Sequence, residues 1–277
     1  MASRYDDLDR PPLRADALRR ALVTPGSMWV DVQIEESLPS TNAVLADRAA
    51  TDARSGLVVI AEHQSQGRGR LDRSWVSPPR AGLTMSALVR PYDVAAPRWP
   101  WIALAAGLAV GAALRRTAGV EATLKWPNDV LIADRKVAGI LVERVESGPF
   151  PPAAVIGIGV NVSLGAGELP GPQATSLAIE QASTTDRSVL ARSVLRALEN
   201  VLGDWQRSGG DPERGLLRAY TQACSTLGQQ VRVTVPGDRE FEGQAVAVDA
   251  VGRLVVRTPA GQRVIGAGDV VHVRSLT

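Results

Sequence analysis

The chain has 277 residues, of which 45% are hydrophobic and 22% charged, so it can bury one large core, or one large and one small core. Its 31 basic and 29 acidic side chains nearly balance, which gives no electrostatic reason to expect a nucleic-acid or membrane partner. The single cysteine excludes an internal disulfide and fits a reducing, cytoplasmic compartment. With only two histidines beside it, the chain has too few ligands for a zinc site.

The first sixty residues carry a series of local patterns. Residues 1–12 are polar, which predicts a disordered start to an N-terminal extension over residues 1–26, and they lack the apolar core of a secretory signal. Hydrophobic periodicity and capping residues then predict, in chain order, a helix at 14–23, a strand at 28–35, a helix from the N-cap Ser40 to about residue 51, and a buried strand at 57–61.

A long loop, one buried helix and several strands are expected next. Glycine, arginine, serine and proline dominate residues 63–80, which predicts the loop. The strongest helical pattern, at 97–117, ends before Gly119, and its apolar run, around residues 101–114, is too short to span a membrane. A turn at 133–136 predicts a β-hairpin, and Gly157 and Gly159 break the last strand. The predicted strands are 82–90, 123–126, 129–132, 137–145 and 154–162.

The character of the chain changes near Leu227. Helices are predicted at 187–206 and 212–226, whereas short valine-rich runs between glycine and aspartate turns follow, at 231–235, 244–248, 254–257, 263–265 and 270–273. These runs are typical of a small β-barrel of about five strands. The sequence therefore predicts three regions: the extension at 1–26, a mixed α/β domain at 27–227 and a small all-β domain at 228–277.

Three segments contain residue types that could bind an anionic ligand. In the first, Gln64-Ser65-Gln66-Gly67-Arg68-Gly69-Arg70, two glycines let a ligand approach the backbone, and two arginines suit phosphates or carboxylates. The glycine spacing matches neither a dinucleotide fingerprint nor a P-loop. A flexible surface loop with solvated arginines is therefore the alternative interpretation.

The other two segments follow the buried helix. Lys125-Trp126-Pro127-Asn128-Asp129 could present a lysine to phosphates, an amide to a nucleobase edge and a carboxylate to a divalent cation; the alternative is a turn with a packed indole. In Asp134-Arg135-Lys136-Val137-Ala138-Gly139-Ile140-Leu141-Val142-Glu143, Lys136 could stabilise charge at a carboxylate–phosphate reaction centre. The alternative is a solvated lysine at a turn.

Together and in this order, the three segments resemble the signature of biotin–protein ligases. Ser40-Thr41-Asn42 before a helix and Gly157-Ile158-Gly159-Val160-Asn161 match two further segments of that family, and the resemblance runs from about Glu35 to the C-terminus. It implies an α+β fold of the class II synthetase and biotin–lipoate ligase type, in which helices flank a central mixed β-sheet. It also implies a small SH3-like β-barrel at the C-terminus.

The resemblance further implies a two-step reaction. Biotin's carboxylate attacks the α-phosphorus of ATP, with Mg²⁺ accompanying the nucleotide, and gives biotinyl-5′-AMP and pyrophosphate. A lysine of a biotin carboxyl carrier domain of an acyl-CoA carboxylase then displaces AMP. Because the first step brings two anions together, it needs fixed positive charge, which four side chains could supply: Arg68, Arg70, Lys125 and Lys136.

The matched positions imply roles for individual residues. Lys136, Arg68 and Arg70 are the expected catalytic residues, and Asp129 is the expected metal ligand. The ureido ring of biotin would be bound by Ser40, Thr41, Asn42 and Gln64, and the biotin carboxylate by Lys136. A mobile loop over biotin and its adenylate would comprise Gly67, Arg68, Gly69 and Arg70. Trp75 would stack on adenine and Asn128 would lie near the adenylate; the ligand-binding set is completed by Lys125, Gly139, Gly159 and Asn161. The alternatives are a plain helix cap for residues 40–42 and a loop anchor for Trp75.

Three other functional classes fit parts of the sequence. A lipoate–protein ligase or octanoyltransferase would share the fold, but the paired arginines of residues 67–70 favour biotin. A biotin-responsive transcription regulator would need a helix-turn-helix domain, and the residues before the matching region hold a single short helical pattern, so we expect neither a nucleic-acid nor a membrane partner. A non-catalytic SH3-like adaptor would leave the three segments unexplained.

Overall fold

The computed structural model describes residues 10–51, 54–71, 73–147, 150–235, 239–266 and 268–272. Seven strands form the larger of two sheets: β1 (Asp31–Glu35), β2 (Leu57–Ala61), β3 (Gly82–Val89), β4 (Ala122–Lys125), β5 (Asp129–Ile132), β6 (Arg135–Ser147) and β7 (Phe150–Asn161). Their order is β1-β2-β3-β7-β6-β5-β4. Only the β1–β2 pair is parallel, so the sheet is mixed, as the family resemblance implies.

Helices cover both faces of this sheet. Their bounds are α1 (Ala15–Leu22), α2 (Thr41–Ala50), α3 (Trp101–Ala118), α4 (Arg187–Arg207) and α5 (Leu216–Ala223). On one face, α3 buries an apolar surface against the sheet, and α4 packs on α3 to form the main core. On the other face, α2 covers a smaller core in which Leu45 and Ala49 meet Val59, Leu88 and Val155.

The second sheet is antiparallel and lies entirely in the C-terminal part of the chain. Its strands are β8 (Gln230–Val235), β9 (Arg239–Val248), β10 (Leu254–Thr258), β11 (Gly261–Ile265) and β12 (Asp269–His272), in the order β11-β10-β9-β8-β12. All five strands were predicted from the valine-rich runs. The predicted boundaries at 26/27 and 227/228 remain predictions; the two sheets lie on either side of the second.

Several element bounds differ from the sequence prediction. The strand predicted at 28–35 begins at Asp31, and the long helix begins at Trp101 after a 3-10 turn at Ala96–Arg98, because proline residues precede it. The region predicted as a helix at 212–226 is a 3-10 turn followed by α5. The hairpin turn is only two residues long: Ala133 and Asp134 have φ values of 46° and 62°, as a type I′ turn requires.

The expected break in the last strand is wrong, and the expected disorder of the N-terminus is wrong at residues 10–12. Gly157 and Gly159 do not break β7, because each pairs with a residue of β3 on one side and of β6 on the other. Residues 1–9 lie outside the described residues, but the rest of the segment predicted to be disordered is held in place. Arg10 donates to Ser163 O (3.1 Å) and the Pro11 carbonyl accepts from Arg187 (2.6 Å).

Candidate active site

One face of the seven-stranded sheet carries a row of residues that crosses five strands. Strand pairing places them side by side in the order Thr84, Gly159, Gly139, Asp129 and Lys125. Because directly paired residues share a face, the two glycines form a floor without side chains. This is the face that α2 covers further along β7, at Val155. The floor therefore begins where the helix stops covering the sheet.

A β-bulge directs Lys136 toward this floor. Val130 of β5 pairs with Ala138 of β6, but the next residue, Leu131, pairs with Lys136. The extra residue, Val137, is fully buried in the main core, so Lys136 emerges on the opposite face, the one that carries the glycine floor. Its Nζ lies 2.6 Å from Asp129 Oδ1. The lysine that the sequence left open as a solvated turn residue thus faces the row.

The indole of Trp75 lies on the glycine floor. A Cβ atom at Gly159 would lie 2.4 Å from the ring, and one at Gly139 would lie 3.2 Å from it. Both distances are shorter than ordinary van der Waals contact, so the absence of side chains there makes room for the indole. Lys136 Nζ lies 5.8 Å from the ring centroid, within the range of a cation–π interaction.

Uncharged hydrogen-bonding groups gather at the N-terminus of α2, beside the floor. Ser40 caps the helix, since its side chain accepts from the Ala43 amide at 3.4 Å. Gln64 Oε1 accepts from the backbone amide (2.7 Å) and the hydroxyl (3.0 Å) of Thr41. Ser86 Oγ lies 2.7 Å from Thr41 Oγ1. This end of the site is therefore polar, buried and without a net charge of its own.

Asn42 connects the polar cluster to β6. Its Oδ1 accepts from Ser86 Oγ at 2.6 Å, and its Nδ2 donates to Glu143 Oε2 at 2.6 Å. Gly157 is necessary for this placement, because a Cβ atom there would lie 2.3 Å from Asn42 Oδ1. Glu143 in turn lies 3.4 Å from the Arg68 guanidinium. Neither Ser86 nor Glu143 was among the predicted site residues.

The glycine-rich loop, residues 67–71 and 73–75, folds back on itself above the floor. Trp75 N donates to Gly67 O at 2.8 Å, and Gly69 N donates to Arg73 O at 2.6 Å. A Cβ atom at Gly67 would lie 2.2 Å from Trp75 O, so this close approach requires glycine. Arg70 leaves the loop toward β5 and donates to Asn128 Oδ1 at 3.2 Å.

A cavity of about 410 Å³ unites these groups. It is lined by almost all of the predicted site residues: Ser40, Thr41, Asn42, Gln64, Arg68, Gly69, Arg70, Trp75, Lys125, Asn128, Asp129, Lys136, Gly139, Gly159 and Asn161. Gly67 instead lines a second, neighbouring cavity of about 870 Å³. The lining of the first cavity also includes Arg73 and Asp269, which the sequence did not single out, and Gly157, which was not among the predicted site residues. Asp269 lies on β12, and no local pattern connects it with the other segments.

Asn161 has a supporting place in the site. Its side chain is buried and Nδ2 donates to Thr175 O at 2.9 Å, while Thr175 N donates to Lys136 O at 2.9 Å. Asn161 therefore fixes the segment that lies against the backbone of Lys136. The sequence predicts a ligand-binding role for Asn161; in the structure Asn161 both lines the cavity and supports this segment.

Burial alters the acid–base properties of the cations. Desolvation lowers the pKa of Lys125, an effect that the nearby Asp129 carboxylate opposes and Lys136 reinforces. Desolvation likewise lowers the pKa of Arg70, against the opposing charges of Asp269 and Asp129. A buried cation binds an anion more strongly than a solvated one, because less water screens the pair. The site is thus built to receive negative charge beside Lys125, Lys136 and Arg70.

The acidic groups do not form a metal centre by themselves. Among the described residues, no group of three or more histidine, cysteine, aspartate or glutamate side chains could hold a metal ion. Asp129 offers one carboxylate, which forms an ion pair with Lys136. This donor set fits a magnesium ion held mainly by the phosphates of a nucleotide, with one carboxylate from the protein.

The helices of the described residues include none with the length and hydrophobicity of a membrane-spanning segment.

Two family models match the chain. Residues 34–161 match the biotin/lipoate A/B protein ligase family, and residues 226–273 match the biotin protein ligase C-terminal domain. The first match contains all of the candidate catalytic residues, and the second contains Asp269 and the whole C-terminal sheet.

Similar proteins agree with these matches. A biotin–[acetyl-CoA-carboxylase] ligase of Mycobacterium tuberculosis is 40% identical over 96% of this chain and 97% of its own length. One of the same name from Paracoccus denitrificans is 36% identical over 83% of this chain and 96% of its own. The structure of the biotin protein ligase from Aquifex aeolicus in complex with biotin and ATP superposes with a TM-score of 0.73 at 26% identity, covering 89% of this chain and all of that one.

Proposed function

The chain belongs to the biotin/lipoate A/B protein ligase family, and we propose that it is a biotin–protein ligase that activates biotin with ATP and transfers it to a lysine of an acceptor protein. The observation that carries the proposal is the single cavity in which Lys136, Lys125 and Arg70 meet a buried, uncharged hydrogen-bonding cluster. The cations suit an anionic reaction centre, and the uncharged cluster suits a neutral polar ring.

The cationic end suits the first step. A carboxylate oxygen of biotin attacks the α-phosphorus of ATP, the bond from that phosphorus to the bridging oxygen breaks, and pyrophosphate leaves. Negative charge builds up on the phosphorus oxygens, so fixed cations lower the barrier by binding the transition state more tightly than the reactants. Lys136 has the central role in this proposal, because the bulge directs it toward the floor between the two ends of the site.

The polar end suits the ureido ring of biotin. That ring is neutral and offers two N–H donors and a carbonyl acceptor. Ser40, Thr41, Asn42 and Gln64 provide hydroxyl and amide groups. Hydrogen bonds to one another and to Ser86 fix the last three, and the Ala43 amide fixes Ser40. Groups held in place before binding lose little conformational freedom when the ligand arrives.

The other end would receive the nucleotide. We assign Trp75 to the adenine by stacking, and Asn128 with Arg70 to the adenylate. Asp129 would hold the Mg²⁺ ion that accompanies ATP, and that ion would neutralise part of the phosphate charge. Release of Asp129 from Lys136 would leave that lysine free to meet the biotin carboxylate.

The second step requires a protected intermediate and a specific acceptor. The glycine-rich loop lies over the floor, where it would keep water from the mixed anhydride. The acceptor amine then attacks the biotinyl carbonyl carbon, the bond to the phosphate oxygen breaks, and AMP leaves. We propose a biotin carboxyl carrier domain of an acyl-CoA carboxylase as the acceptor and the cytoplasm as the compartment, in keeping with the single buried cysteine.

Incubation of the pure protein with biotin, α-labelled ATP and a carrier domain tests the proposal. We expect labelled biotinyl-AMP without the carrier, and biotin on one carrier lysine together with labelled AMP when it is present. Parallel calorimetric titrations with biotin and lipoate separate the two branches of the family. Heat from lipoate and none from biotin would reject the assignment in favour of a lipoate–protein ligase.

A further inference from the structure

We propose that Asp269 is a positioning residue, which fastens the glycine-rich loop to the C-terminal sheet through Arg73 and so keeps the reaction intermediate in the site. The inference rests on the proposed function. Asp269 lies at the start of β12, almost 200 residues after the loop, and the Asp269 carboxylate forms an ion pair with the Arg73 guanidinium. A second contact accompanies the pair, since Arg70 donates to the carbonyl of Gly268 at 3.4 Å.

The C-terminal sheet can act as a fixed anchor because two tryptophans tie it to the large sheet. The indole of Trp126 donates to Gly252 O, in the turn between β9 and β10, at 3.1 Å. The backbone amide of Trp126 donates to Thr226 Oγ1, which also lies 3.1 Å from Nε2 of His272 on β12. The indole of Trp101 donates to Ala250 O at 2.9 Å. Both indoles are buried, so these bonds lie away from competing water. The backbone of β12, which carries Asp269, is thus fixed relative to the floor.

Fastening Arg73 also positions the rest of the loop. The Arg73 carbonyl accepts from the Gly69 amide, and Arg68 forms a β-bridge with Ser74, so the two arms of the loop are joined. A tether on the second arm therefore restrains Arg68 and Arg70 on the first. The proposed function assigns Arg70 to the adenylate, and both arginines belong to the loop that would shield the intermediate.

Charge gives a second reason for the pair. A carboxylate on the wall of a cavity built for phosphates would repel them, and Asp269 lines that cavity. Pairing with Arg73 neutralises the carboxylate, so the fastening contact does not oppose nucleotide binding. The Arg73 side chain is 67% exposed, so the pair can open when ligands enter or the acceptor arrives.

The test compares single, double and exchanged variants by the rate at which biotinyl-AMP leaves the enzyme. We expect Asp269→Asn and Arg73→Ala each to speed release about two- to fivefold, the range for a partly exposed ion pair, with no further effect when the two are combined. The exchange Arg73→Asp/Asp269→Arg should restore slow release. Glu242→Gln is the matched control, since it removes the exposed Arg232–Glu242 pair within the C-terminal sheet.

Hydrogen exchange of the loop amides gives a readout that does not depend on catalysis. The Gly69 amide should exchange faster in Asp269→Asn than in the unaltered protein or in Glu242→Gln, with the melting temperature unchanged. Unchanged exchange, independent effects of the two single variants, or an exchanged variant that still leaks would each overturn the proposal. If the unaltered protein forms no biotinyl-AMP, the proposed function fails, and the exchange comparison still decides whether the tether exists.

Discussion

Gly157→Ala should weaken biotin binding by displacing Asn42 rather than by touching biotin. The new Cβ atom would lie 2.3 Å from Asn42 Oδ1, whereas ordinary contact begins near 3.4 Å, so the side chain must move by about 1 Å. Both ends of its amide are held at 2.6 Å, by Ser86 and by Glu143. A displaced Asn42 would no longer reach the ureido ring, and loss of that hydrogen bonding corresponds to about 1–3 kcal/mol, or a 5- to 150-fold increase in the Kd for biotin.

Calorimetry on Gly157→Ala, Asn42→Ala and the double variant tests this reasoning. Truncation of Asn42 removes the three atoms nearest to the new methyl group, so Gly157→Ala should then have little further effect on the Kd. An equal loss of affinity in the presence and absence of Asn42 would refute the mechanism. It would mean that the methyl group meets biotin directly or distorts the strand. Thermal melting of each variant establishes that the protein remains folded.

The remaining predictions concern charge. Lys136→Ala should leave the fold intact, because Lys136 is no core residue, and largely abolish pyrophosphate release; release at the unaltered rate would contradict its role. Because burial lowers the pKa of Lys125 below 10.5, its charge, and with it adenylate formation, should be lost as pH rises through that lowered pKa. Lys125→Arg should move the alkaline loss to higher pH, and an unmoved pH profile would exclude Lys125 as the titrating group. Glu62→Gln leaves the buried Arg187 without an opposite charge, which should lower the free energy of unfolding by about 3–5 kcal/mol and Tm by roughly 5–15 °C. Asp204→Asn, which removes an exposed ion pair, should not alter Tm measurably.

Local elements could be predicted from the sequence because their signals are local. Ser40 is an N-cap in the structure, and Gly119 ends α3 with a φ of 65°, as glycine allows. The expectation of disorder was wrong at Pro11, because the residues around it carry no local pattern that would indicate order. It is held by Arg187, a residue 176 positions away. Contacts at that separation leave no periodicity in the sequence.

The candidate site was predictable as a list of residues but not as an arrangement. Gly159, Gly139 and Asp129 belong to three different segments, and only strand order and register place them side by side. The direction of Lys136 depends on one extra residue in β6. Without that bulge, alternation along the strand would bury Lys136 against α3 and expose Val137. A regular hairpin read from the sequence would therefore have given the lysine the wrong face.

The segment Lys125–Asp129 shows why the two interpretations of a motif need not exclude each other. The sequence offered either a ligand-binding segment or a turn around a packed indole. Trp126 is buried, and its indole donates to Gly252 in the C-terminal part of the chain, while Lys125 and Asp129 on either side of it line the cavity. One short segment thus joins the anchor of the second sheet to the cations of the site. A change that loosens Trp126 should consequently disturb the site and the tether at Asp269 together, although it removes no group that faces the ligand.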